Sequence, residues 1–224
     1  MNTAESVAQA ATKFYNELKN DENRRYRSWE YCYYHFYKAR NEKEPNIDYM
    51  SLQLAFYLAS WGMYRGSSFL LQKDYKVHIP VVKELLQKKY DVLFGADFNV
   101  LLNENHQKTL QGLNGFLVQY YDGIRRTVKG EALKNKISST LITKVLMGTL
   151  GCVPAYDRYF IDGIKSKKVA TGNYSMKSLS QLAEFYKENF ETLESVRKNF
   201  VVEDILYPQM KILDMGFWQI GEGS

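Results

Sequence analysis

Proline is the residue that most limits what this chain can fold into, because it occurs at only four positions, 45, 80, 154 and 208, and the stretches between are long. A proline-poor chain whose apolar residues recur at three- and four-residue steps is built for helices. Ser178 to Phe200 shows this most cleanly, with Leu179, Leu182, Tyr186, Leu193, Val196 and Phe200 on one face and Lys and Glu on the other. "YMSLQLAFYLASWGMYR", up to Arg65, is apolar nearly all round and reads as a central helix over 48–65. Ser139 to Leu150 carries Leu141, Ile142, Val145, Leu146 and Leu150 and reads as a second central helix, 139–150. Further helices are predicted near 4–19, 22–41, 79–93, 105–127, 154–165 and 208–218. No stretch alternates apolar and polar residues cleanly between turn signals. The nearest, "KVHIPVV", contains Pro80, which excludes a central strand. The expectation is an all-α fold of about eight to ten helices. It forms one helical domain over 1–224, or two lobes sharing the central helices, with loops at "FGADFNVLLNEN" and "KSKKVATGNYS".

Charge and cysteine usage bound the function classes. Lys plus Arg number 30 against 25 Asp plus Glu, a net charge of +5 that permits an anionic partner without requiring one. Cys32 and Cys152 stand alone in apolar surroundings, a pattern of two buried thiols in a reducing cytosol, and the N-terminus has no basic start followed by an apolar run. No window approaches 18 uninterrupted apolar residues, so a cytoplasmic protein with no membrane span is expected. Tyrosine occurs 18 times, which suits half-buried helices, a wet pocket wall or a stacking surface for bases. Cys32 and His35 share a helix face, but no second pair completes a metal site, and no P-loop, GxSxG, HExxH or Rossmann pattern is present. Neither a metal nor a cofactor is expected.

Two segments hold candidate site residues. In "TKVLMGTLGCVPAYDRYFIDGIKSKK", Gly151 supplies a turn at a helix end and Pro154 suits the first turn of the next helix. Asp157 then falls in that first turn, where the helix dipole favours a carboxylate whether or not a ligand is present. In "LASWGMYRGSSFLLQKD", Gly66 reads as a helix stop, Ser67 or Ser68 as the next N-cap, and Arg65 as a last-turn cation. Trp61, one turn earlier, and Arg65 could instead stack a ring and clamp a phosphate. Phe217 and Trp218 are expected to dock the last helix on the core.

The pattern Thr143-Lys144, Leu146, a glycine-bearing corner and Pro154-Ala155-Tyr156-Asp157-Arg158 resembles the helix-hairpin-helix region of DNA glycosylases of the oxidised-guanine type and their bacterial relatives, over residues 140–165. The resemblance implies a hairpin near 148–157 and a DNA or nucleotide-like ligand. It makes Asp157 the carboxylate that assists departure of the base. It makes Gly148 and Gly151 the hairpin positions whose amides meet phosphate. The residues themselves put Trp61, Arg65, Tyr156 and Arg158 in the expected substrate site and add Lys167 and Lys168 as basic phosphate contacts. The position matching the family's lysine nucleophile is Thr140, with Lys144, Lys136 and Lys134 out of register. Other basic groups able to track a phosphate backbone are Arg24, Arg25 and Arg27, Arg125 and Arg126, and Lys165. The rival reading is a non-enzymatic helical interaction protein, for instance a homodimer.

Overall fold

The computed structural model describes residues 2–130 and 137–223; Lys134 and Lys136 lie outside the described residues. The fold is all-α. Eleven α-helices are present among the described residues: α1 (Thr3–Lys19), α2 (Ser28–Asn41), α3 (Ile47–Ser60), α4 (Ile79–Leu85), α5 (Phe98–Leu102), α6 (Glu104–Lys129), α7 (Ser139–Thr149), α8 (Arg158–Ser166), α9 (Met176–Glu188), α10 (Phe190–Arg197) and α11 (Gln209–Glu222). Short 3-10 turns, including Arg25–Arg27 and Phe69–Gln72, join them. A minimal antiparallel hairpin, β1 (Val201–Val202) and β2 (Ile205–Leu206), precedes the last helix.

Local capping explains most boundaries. Asn2 and Glu5 form a reciprocal capping box at the start of α1, and Asn46, Ser138, Asp157 and Ser175 cap α3, α7, α8 and α9 with their side chains. The predicted helix over 178–200 is two helices, broken where Asn189 leaves helical geometry and bonds back to Phe185 through both backbone and side chain. Within the expected loop after Phe94, Asp97 caps α5.

The helix predicted over 48–65 ends at Ser60. Gly62 takes φ +78°, and the Gly62 and Met63 amides donate to the Ala59 and Leu58 carbonyls, a Schellman closure that only a residue tolerant of positive φ makes cheaply. Arg65 therefore lies beyond the helix rather than in its last turn. Nor is α3 surrounded, since Tyr49, Leu52 and Phe56 leave one face open.

The helix at the centre is α11. Every residue from Gln209 to Trp218 is buried, and the helix packs along α1 on one side and α8 on the other. The terminal helix is thus a core element in its own right, and α7, buried from Leu141 onward, is the second. Glycines permit the closest crossing. A Cβ on Gly163 of α8 would sit 2.0 Å from the Phe217 carbonyl oxygen, and one on Gly221 of α11 would sit 1.9 Å from that of Tyr159. Gly163→Ala is expected to cost about 1–3 kcal/mol despite alanine's better helix propensity, because backbone must move to admit the methyl. Urea unfolding at unchanged slope reads this directly; an unchanged midpoint contradicts the close crossing.

Candidate functional site

The chain between α7 and α8 runs without helix from Leu150 to Asp157, and Leu150 to Tyr156 are all buried. Four of its amides beyond Leu150 have acceptors within the fold. Gly151, at φ +66°, donates to the Leu146 carbonyl at 2.9 Å, Ala155 to Asp214 Oδ1 at 2.8 Å, Tyr156 to Thr143 Oγ1 at 2.9 Å and Asp157 to the Ala155 carbonyl at 2.7 Å. Pro154 therefore lies in the irregular segment and not in the first turn of α8. Gly148 lies inside α7, where a Cβ would fall 2.3 Å from the Tyr57 ring, so its role is to let α3 and α7 approach. The expected phosphate cradle at Gly148 and Gly151 is not formed, because the Gly151 amide is bonded to Leu146 and the corner is buried, so its amides do not face an anion in solvent.

Tyr156 is likewise placed away from any ligand. It is fully buried and its hydroxyl hydrogen-bonds with Ser178 Oγ at 2.8 Å. Lys167 and Lys168 lie at the far end of α8, about 13 Å along a nine-residue helix from Asp157. Lys168 occupies the left-handed region at φ +55°, closing α8 through its own amide and that of Val169. Lys168→Gly is accordingly expected to stabilise the protein by about 0.5–1 kcal/mol, seen as a raised denaturant midpoint.

Four candidates do converge. Asp157, Trp61, Arg65 and Arg158 line one cavity of about 610 Å³, a volume typical of small-molecule sites. Asp157 performs two tasks: Oδ1 accepts the Phe160 amide at 3.2 Å, capping α8, and Oδ2 stands 3.3 Å from Lys144 Nζ. Lys144 projects from α7 one turn after Thr140, which also lines the cavity. Its ammonium, on a residue only 4% exposed, donates to the Trp61 carbonyl at 2.9 Å and lies 5.4 Å from the Trp61 ring centre. Sequence register passes over Lys144; the turn of helix that aligns it with Thr140 is the signal that finds it.

Burial shapes the titration of this pair. Desolvation pushes the Asp157 carboxyl above its ordinary range, with the Asp214 charge adding to the rise and Lys144 opposing it. Desolvation likewise lowers the Lys144 amine, Asp157 opposing and Arg65 adding to the fall. Both shifts weaken the charged forms, so a proton can be exchanged between these groups at lower cost than between surface partners.

The walls are aromatic and cationic. Tyr26 and Trp61 meet with centroids 4.5 Å apart, while Trp218 packs edge-on to Tyr26 at 5.9 Å and to Tyr159 at 5.3 Å. Trp218, expected only to dock a helix, therefore also forms the wall. Arg25 and Arg158 each lie over the neighbouring tyrosine at 4.6 Å. Arg25, Arg65 and Arg158 are exposed and, among the described residues, pair with no carboxylate. The other candidate arginines have carboxylate partners: Arg24 pairs with Glu17, Arg27 with Glu30, and Arg125 and Arg126 share Asp122. The cavity also contains Glu222.

Elsewhere, Cys32 and Cys152 are buried free thiols, held protonated by desolvation. Among the described residues no cluster of three or more His, Cys, Asp or Glu could hold a metal ion, and no helix is long and apolar enough to cross a membrane. No protein-family model, curated protein or solved structure matches this chain.

Proposed function

We propose that this chain binds a nucleic acid or nucleotide-like ligand in the Asp157 cavity and carries out base release of the DNA-glycosylase type there. One observation carries the reading: a buried amine and a partly buried carboxylate 3.3 Å apart in the lining of a cavity that also carries aromatic rings and three arginines which, among the described residues, pair with no carboxylate. Arginine guanidinium groups suit phosphate oxygens, and the aromatic walls suit a base. In this scheme the neutral Lys144 amine attacks C1′ of the sugar as the C1′–N bond breaks, and the electron pair leaves with the base. Asp157 balances the cationic charge growing on the sugar and takes the proton that Lys144 sheds. Opening of the sugar ring then leaves an imine between Lys144 and C1′.

The test is a panel of oligonucleotides carrying oxidised guanine, uracil or alkylated adenine, with borohydride added to reduce any imine to a stable cross-link. Wild type is expected to release a base and to cross-link. Lys144→Met is expected to abolish the cross-link and Asp157→Asn base release. Release of nothing from the panel, with no cross-link to an abasic strand, ends the catalytic reading.

A second reading is favoured by one specific feature. Tyr49, Leu52 and Phe56 follow one another at three- and four-residue spacing on α3 and are 40%, 46% and 56% exposed, an apolar stripe suited to pairing with a second copy. Concentration-dependent sedimentation, abolished by Phe56→Glu, would support a homodimer; a monomer at all concentrations would exclude it.

A further inference from the structure

The cavity is not a single chamber. A second recess of about 310 Å³ adjoins it, and the two share Arg25, Tyr26, Trp218 and Glu222. The partition between them is thus two aromatic rings in edge-to-face contact, with one guanidinium beside them. On the far side, Arg24 is already engaged by Glu17 at 3.1 Å, which leaves Arg25 as the cation without a carboxylate partner on the shared wall, among the described residues.

Resting on the ligand reading above, we infer that the ligand is a single-stranded nucleic acid. One base enters the Asp157 cavity, its neighbour enters the adjoining recess, and Arg25 holds the phosphodiester that joins them. Three features lead here. Lys144 is buried and shares the cavity lining with Asp157, so a base must leave its stack to reach them, and a single strand presents one without the cost of unpairing and flipping it from a duplex. The corner that would have met a duplex backbone is buried, with the Gly151, Ala155, Tyr156 and Asp157 amides bonded internally. Finally, cations and rings share the lining: Arg25 lies over Tyr26 and donates to its hydroxyl at 2.6 Å, Arg158 lies over Tyr159, and Arg65 and Trp61 line the same cavity, the combination by which grooves follow a flexible strand while successive bases stack. Glu222, the acid on the shared wall, is placed to accept from an exocyclic amino group of a base and not to meet phosphate.

The experiment uses calorimetric titration of the full chain with adenosine monophosphate and with the dinucleotide ApA in ribo and deoxy forms. ApA has one phosphodiester charge where the monophosphate has two, so simple electrostatics favours the monophosphate. The inference requires the reverse: ApA binding at least ten-fold more tightly. Arg25→Ala, at an exposed site that does not threaten folding, should remove that advantage, whereas Arg65→Ala should weaken both ligands and keep the ratio. Either sugar satisfies the inference, and the tighter one names the source. Equal affinities, an Arg25→Ala variant that keeps the ratio, or a blunt duplex competing as well as its single strand would overturn the two-recess inference while leaving a nucleotide site intact. Binding of neither ligand overturns both.

Discussion

Asp214→Ala is expected to cost about 3–5 kcal/mol of stability, because it strands a charge in the core. Lys211 is only 2% exposed, and its ammonium is held by Asp214 Oδ2 at 2.8 Å. The remaining neighbours of that ammonium are ring faces, Trp29 at 4.7 Å, Trp61 at 5.0 Å and Phe14 at 5.8 Å, which attract a cation but do not replace a carboxylate. The same substitution orphans the Ala155 amide, which Asp214 Oδ1 accepts at 2.8 Å, and so loosens the segment leading to Asp157. Urea denaturation measures the loss. The double variant Lys211→Met/Asp214→Asn keeps the Ala155 acceptor and removes the charge, and should regain most of the stability, since replacing a whole buried pair is near neutral where breaking it is not. A loss below about 1 kcal/mol for Asp214→Ala would show that water reaches Lys211 and that the pair is not a buried one.

The second large effect is a pH dependence from His78. The imidazole is fully buried, with Nε2 2.7 Å from the Tyr64 hydroxyl and Nδ1 2.8 Å from that of Tyr121. Desolvation lowers its pKa from 6.5 to about 3, and burial keeps both tyrosines protonated. Between those values the unfolded chain binds the proton and the folded chain does not, so stability is complete above about pH 6.5 and falls as pH drops toward 3. At 1.36 kcal/mol per unit, the contribution lost between pH 6.5 and pH 4 is about 3 kcal/mol. Gln offers one donor and one acceptor to the same two hydroxyls without titrating. The stability gap between wild type and His78→Gln should therefore shrink by about this amount over that range. A gap that stays constant with pH would show the ring to be solvated in the folded protein.

How far the sequence could be read depends on the range of the interaction that decides each feature. Helices α1, α6 and α11 follow their apolar spacing to within a few residues, with side-chain caps opening the first two, since cap and period are local. The same local rules misplaced the end of α3, because Gly62 and Gly66 are both able to close a helix and only the Schellman geometry distinguishes them. They also misjudged α11: a 14-residue terminal helix with moderate polarity reads as a docking element, yet Lys211 and Asp214 neutralise one another and let it run through the core. Lys144 was passed over for a comparable reason. In a linear register it misses the expected position, while on a helix it stands directly above Thr140.

By itself, then, the sequence determined that this chain forms helices, with its two thiols buried and Asp157 opening a helix, because propensity, periodicity and capping act over a few residues. Tertiary structure alone decided which polar groups meet. It turned the glycine corner inward, sent Tyr156 and Lys168 elsewhere, and gathered Arg25, Tyr26, Trp61, Lys144, Asp157 and Trp218 from four separate stretches of chain around one cavity. The physical reason is that contact between residues over a hundred positions apart is set by how glycine-lined helices cross, and no local pattern records that crossing.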